Sequence, residues 1–160
     1  MSQHDRSITV TRSIDAPAKD IFDVLTLPSR HAELDGSGFV VSVDHADRIT
    51  GTGQVFTMNM RGDHMGGEYK TDNHVNAYSP NQMVGWKTAP AGTEPPGWEW
   101  LWELTSTSSD STDVSLTYDW SGVTDEALLQ KVGFPLVGQS QLEDSLNALA
   151  SAVGPKHSAS

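Results

Sequence analysis

The densest chemistry in this sequence is the stretch RGDHMGGE at residues 61–68, which holds Arg61, Asp63, His64 and Glu68. A histidine beside a carboxylate can act as a general base, because its charge changes near neutral pH. The same stretch, rich in glycine, also reads as a solvated hairpin turn. The other histidines are His4, His31, His45, His74 and His157, and no H-E-x-x-H or H-x-H spacing occurs. There is no cysteine, so a zinc site has little support, and thiolate nucleophiles and disulfides are excluded. No G-x-S-x-G elbow is present, and the GTG at residues 51–53 precedes a strand rather than a helix, which makes it a turn and not a phosphate cradle. The residue types alone therefore name no catalytic group, no metal ligand and no cofactor.

A second pattern is aromatic. The stretch WEWLW at residues 98–102 carries three of the five tryptophans at a spacing of two. On a strand this puts Trp98, Trp100 and Trp102 on one face, with Glu99, Leu101 and Glu103 on the other. The two carboxylates mark the second face as the solvent side. Trp86, with Val84 and Thr88, shares the inner face of the strand before, and Leu116, Tyr118 and Trp120, with Val114, that of the strand after. Phe56, Met58 and Met60 alternate in the same way along residues 53–60, and flexible methionines suit an adaptable apolar wall. On residues 67–77 the inward set is Tyr69, Thr71, Asn73, Val75 and Ala77, leaving Lys70, Asp72, His74, Asn76 and Tyr78 outside. Polar groups on an apolar face must pair with one another or orient a ligand, since burying them unpartnered is costly. The whole set reads either as an aromatic core or as the lining of a cavity. Buried indole N–H groups need partners, and water or a ligand in a pocket supplies them more easily than a dry core does.

The elements that position these residues follow from periodicity. Residues 7–14 (SITVTRSI) are a strand, and Asp15-Ala16-Pro17 opens a short helix with Asp15 as its cap and Ile21, Phe22, Val24 and Leu25 on its apolar face. Pro28 stops that helix, and Ser29 caps a second short one through Leu34. Strands follow at residues 39–45, 53–60, 67–77, 83–88, 98–105 and 113–120, joined by short connections that suggest an antiparallel meander. A proline-rich loop spans residues 89–97, and the Ser/Thr-rich residues 106–112 read as a flexible connection. From residue 124 to about 153 the period becomes helical, with Leu128, Val132, Leu136, Gln139, Leu142, Leu146, Leu149 and Val153 on one face. Gly133 and Pro135 interrupt its first half, next to Phe134 and Val137.

The bulk numbers bound the class. With 160 residues, one domain over residues 1–155 and a disordered tail at 156–160 are expected. A net charge of −11 repels phosphate backbones and anionic membrane surfaces, so neither nucleic acid nor membrane is an expected partner. No signal peptide and no apolar run of spanning length is evident, which points to the cytoplasm. The chain is expected to be a monomer or a homodimer.

A sheet with one apolar face must cover it, and the last helix is the long element available to do so. This order of elements, with IDAPAKDIFDVL at residues 14–25, GTGQVFTMNM at 51–60 and the run from Trp98 through Gly122 into the last helix, resembles the START-related helix-grip superfamily (SRPBCC), of polyketide cyclase/dehydrase and lipid-transport type. The resemblance implies an α+β fold. A curved antiparallel sheet of about seven strands wraps a long C-terminal helix, and two short helices close one end. It also implies a deep cavity between sheet and helix that takes a hydrophobic or aromatic small molecule, with Phe134, Val137 and Gln139 near its entrance and Leu142 along its helical wall. The superfamily includes carriers, receptors, aromatases and cyclases, so the expected role is carrier or sensor, with a polyketide aromatase/cyclase as the alternative. For the latter, Arg61, His64, Tyr69 and Asn73 would polarise carbonyl oxygens, Arg61 being the one arginine expected to approach the cavity.

Overall fold

A computed structural model describes residues 7–31, 40–45, 48–62, 67–93, 95, 97–124 and 138–153. In chain order the elements are β1 (Ser7–Ile14), α1 (Ala18–Leu25), a single 3-10 turn (Pro28–Arg30), β2 (Val40–His45), β3 (Val55–Gly62), β4 (Gly67–Ser79), β5 (Met83–Pro90), β6 (Glu99–Ser108), β7 (Ser111–Asp119) and α2 (Gln139–Val153). The seven strands form one antiparallel sheet in the order β1-β7-β6-β5-β4-β3-β2. The meander runs from β2 to β7, and β1 closes onto the last strand.

Alternation decides the faces. On β1, Val10 and Ile14 are buried, while Thr9, Thr11 and Ser13 face outward and form a ladder of side-chain hydrogen bonds with Thr117, Ser115 and Asp113 of β7. Such cross-strand pairs each add a few tenths of a kcal/mol, up to about 1. On β7, Thr112, Val114, Leu116 and Tyr118 are buried and the residues between them are half-buried. Inner-face side chains thus line up in rows across the sheet. One row reads Val75, Trp86, Trp100, Tyr118, Ile8, and another reads Tyr78, Val84, Trp102, Leu116, Val10.

α1 buries Ile21, Phe22, Val24 and Leu25, each contributing about 1.5–3 kcal/mol on burial. α2 packs against β1, β7 and α1, burying Leu142, Leu146 and Leu149. Arg12, on the inward phase of β1, stays exposed and donates to Asn147 Oδ1 at 2.6 Å, which ties β1 to α2.

Several expectations need correction. Pro17, in extended conformation, is the N-cap of α1, and no side chain caps it, so Asp15 lies two residues too early. Of the two short helices expected, one is α1; for the second, the described residues give a 3-10 turn at Pro28–Arg30 followed by a helical residue at His31, and residues 32–39 lie outside the described part. The stretch at 106–112 is not a flexible connection. Ser106 pairs with Thr112 and Ser108 with Ser111, and the buried Thr112 hydroxyl donates to Ala16 O at 2.8 Å. β4 carries an irregularity between Val75 and Ala77, so that Tyr78 rather than Ala77 returns to the inner face, opposite Val84 and 5.5 Å from the Phe22 ring. One extra residue reverses the phase of everything after it. The last helix is described over 139–153. The expected interruption at Gly133 and Pro135, and the boundary and tail at 155–160, lie outside the described residues.

A candidate ligand site on the inner face of β3, β4 and β5

The inner face of β3–β5 carries two sets of side chains side by side. The first is aromatic. Phe56 of β3 and Trp86 of β5 meet edge to face at 5.2 Å between ring centroids. His31, placed by the turn at Pro28–Arg30, stacks on the Trp86 indole at 5.0 Å with 17° between planes and meets Phe56 edge-on at 5.3 Å. His31 Nε2 lies 2.8 Å from Leu25 O. A carbonyl only accepts, so Nε2 carries the hydrogen, and this bond fixes the ring over the indole. Three rings in mutual contact form an aromatic corner, and such pairs add about 0.5–1.5 kcal/mol each beyond burial.

The second set is polar and lies in the adjoining rows. Phe56, Asn73 and Thr88 face one another across β3, β4 and β5. Asn73 Nδ2 donates to Phe56 O at 3.2 Å and to Thr71 Oγ1 at 3.4 Å, and Thr88 Oγ1 donates to Asn73 Oδ1 at 2.7 Å. All three side chains are buried. The amides and hydroxyls expected on this apolar face therefore pair with one another. A further aromatic stack follows along the sheet, with Trp100 on Tyr118 at 4.4 Å and 16°, and Tyr118 against Trp120 at 5.3 Å.

Among the residues expected to line a site, Phe56, Met58, Thr71, Asn73, Trp86, Trp102, Leu116, Tyr118 and Leu142 are buried. Met60, Tyr69, Trp98 and Trp100 are half-buried, with Met60 and Tyr69 opposite each other. Gln139 is exposed in the first turn of α2, with its Nε2 donating to Glu143 Oε2 at 3.2 Å, so it does not join the buried set. Phe134 and Val137 lie outside the described residues. Arg61 does not approach the inner face. It follows Met60 on β3, so alternation turns it outward, where it is exposed and bridges Glu68 at 2.9 Å. Asp63 and His64 lie outside the described residues.

The sequence places Thr88 on the inner face by its spacing of two from Trp86 but gives it no role in the site, and it leaves His31 out altogether. His31 had no signal, because its position depends on the turn after Pro28 and not on any periodic pattern.

The outer face presents a different chemistry. Asp72 accepts from Thr57 Oγ1 at 2.8 Å and from Gly92 N at 2.9 Å. The Gly92 N–H bond, helped by Thr57 and by His74 nearby, holds its carboxyl below the usual carboxylate range against a smaller opposing effect of burial. His74 Nε2 is the one buried side-chain polar atom without a partner among the described residues. An open groove of about 450 Å³ lies apart from the aromatic corner, between Ala18, the β4–β5 turn and Leu104 of β6. No helix among the described residues is long and apolar enough to cross a membrane.

No family model matches the chain. Among curated proteins it is 34% identical over 113 residues to the uncharacterized protein Rv0088 of Mycobacterium tuberculosis, a match covering 69% of this chain and 47% of that one. The chain thus spans about half the length of the curated relatives it matches. Among solved structures it superposes on the Zhui aromatase/cyclase from Streptomyces sp. R1128 with a TM-score of 0.63 at 16% identity, covering 92% of this chain and 93% of that one. A START superfamily protein from Mycobacterium smegmatis gives a TM-score of 0.59 at 13% identity, over 92% and 96% of the two chains. The fold is START-like: an α+β helix-grip arrangement of a curved antiparallel sheet and a C-terminal helix.

Proposed function

We propose that the protein binds a hydrophobic or aromatic small molecule between the inner face of the sheet and the C-terminal helix, acting as a cytoplasmic carrier or sensor, as a monomer or homodimer. The observation that carries this reading is the aromatic corner of His31, Phe56 and Trp86 beside the buried Thr71–Asn73–Thr88 ladder. Aromatic walls bind flat apolar ligands, and a few fixed polar groups orient them. The START-like fold agrees with this use, since the resemblance to the helix-grip superfamily implies a cavity between sheet and helix.

The alternative, an aromatase/cyclase chemistry like that named for the Streptomyces neighbour, draws support from the shared fold. It has less support from the side chains. Of the groups expected to polarise carbonyl oxygens, Arg61 is exposed and paired with Glu68, and Asn73 has both its amide hydrogens engaged. The binding reading is therefore preferred.

The test is direct. Small molecules released on denaturation of the protein purified from cells are identified by mass spectrometry, and naphthalene is titrated while tryptophan fluorescence is followed. The expected outcome is a co-purified apolar or aromatic compound and saturable quenching that is reduced in Trp86→Phe. No released compound, together with no fluorescence response, overturns the reading and leaves the aromatic rows as packing.

A further inference from the structure

The ladder on the inner face has a direction. The Phe56 carbonyl can only accept, so it fixes which end of the Asn73 amide is nitrogen. Oδ1 then takes the Thr88 hydroxyl hydrogen at 2.7 Å, and the remaining amide hydrogen points to Thr71 Oγ1 at 3.4 Å. Thr88 has spent its one hydrogen and keeps lone pairs free to accept. Thr71 has accepted and keeps one hydroxyl hydrogen, for which no acceptor is present among the described residues. Thr71 is 4% exposed and Thr88 6%, so water reaches neither freely. The ladder thus ends in one unused donor and one acceptor, next to the Trp86–His31–Phe56 corner. No lysine, arginine, aspartate or glutamate is buried among the described residues. A carboxylate ligand on this face would meet no buried lysine or arginine among the described residues, only the His31 ring already bonded to Leu25 O, and burying it there would be expensive.

We propose that the Thr71–Asn73–Thr88 ladder selects a neutral aromatic ligand bearing a hydroxyl, with Thr71 donating to that hydroxyl, Thr88 accepting from it, and the ligand ring lying against Trp86 and Phe56. This rests on the binding reading above and adds the class of ligand to it. A hydroxyl serves both ends of the ladder. An ether or ketone serves only the Thr71 end, and a hydrocarbon serves neither. A site built to hydrogen-bond a hydroxyl discriminates against the analogue that lacks it, because its own buried groups are then left unpaired.

The experiment measures dissociation constants by equilibrium dialysis for naphthalene, 2-methoxynaphthalene, 2-naphthol and 2-naphthoate. The proteins are wild type, Thr71→Val, Thr71→Ser, Thr88→Val and Thr88→Ser, each checked by circular dichroism. The ratio of variant to wild type for one ligand cancels that ligand's own hydrophobicity. Thr71→Val is expected to weaken 2-naphthol and 2-methoxynaphthalene about tenfold and leave naphthalene unchanged, about tenfold being the worth of one net buried hydrogen bond. Thr88→Val is expected to weaken 2-naphthol alone, both serine variants to bind as wild type does, and 2-naphthoate to bind weakest throughout. Equal ratios for naphthalene and 2-naphthol in Thr71→Val overturn the ladder's role while the binding reading stands. Failure of all four compounds to bind wild type overturns the ladder proposal, and overturns the binding reading as well when no compound is released on denaturation.

Discussion

At the scale of single residues, the inner face shows how a buried polar group is made tolerable. Asn73 would be out of place among Phe56, Met58 and Val75, yet both its amide ends are engaged, by two acceptors and one hydroxyl donor. The arrangement is worth more intact than in part, because removing one member strands the others. Asn73→Leu is expected to destabilise the fold by about 2 kcal/mol, since the buried Thr88 hydroxyl loses its acceptor. Urea unfolding measures this, and a midpoint unchanged from wild type would show that the ladder contributes nothing to stability. His31 is the other instructive residue. One bond from its Nε2 to the Leu25 carbonyl, across the end of α1, decides that an imidazole faces the Trp86 indole.

At the scale of elements, the connections are held by specific contacts rather than by length. The β5–β6 loop is tied back to β4 at two places, where Gly92 N–H meets the Asp72 carboxylate and Ala91 N–H meets the Lys70 carbonyl. At the far end of that loop, a Cβ on Gly97 would fall 2.3 Å from the Gly122 carbonyl carbon, and Gly97 has a φ of +131°, so only glycine fits where these two turns cross. The Asp72 tether gives a pH dependence with a definite sign. Its carboxyl is held below the usual range, so in the folded protein it stays ionised to lower pH than in the unfolded chain. The stability it contributes is present above the unfolded carboxylate range and is lost as pH falls through the folded value. Asp72→Ala is therefore expected to make stability less steep in pH on the acid side, and to speed amide exchange at Gly92 near neutrality. Unfolding midpoints against pH and site-resolved hydrogen exchange check this. Identical acid limbs for the two proteins would exclude the tether.

At the scale of the whole molecule, the sheet and α2 do not cover each other evenly. α2 packs against β1, β7 and α1, whereas the aromatic corner and the ladder belong to β3, β4 and β5, with His31 reaching them from the turn after α1. Phe56, Met58, Val75 and Trp86 nonetheless belong to the same buried cluster as Leu142, Leu146 and Leu149, so one core runs along the width of the sheet and the candidate site is a part of it. A ligand that binds the folded state alone stabilises it by mass action. At one hundred times its dissociation constant the gain is about 2.7 kcal/mol, or a rise of about 5–10 °C in the thermal midpoint for a domain of this size. Differential scanning calorimetry with the co-purified compound checks this. No shift at saturation would mean that the compound does not bind the native fold.

The sequence by itself determined the periodicities and what they entail. Alternation along residues 98–102 and 113–120 put the tryptophans and Tyr118 on one face, and helical spacing put Leu142, Leu146 and Leu149 on another. Such patterns are local, because a strand repeats every two residues and a helix about every 3.6 whatever surrounds them. The tertiary structure alone decided the rest. The irregularity after Val75 turned Tyr78 inward, and the hairpin carried pairing into residues 106–112. Above all it brought His31, Phe56, Asn73, Trp86 and Thr88, spread over 58 positions of the chain, into contact. No local pattern encodes that meeting, because register across strands and the direction of a turn are set by what the whole inner face must bury.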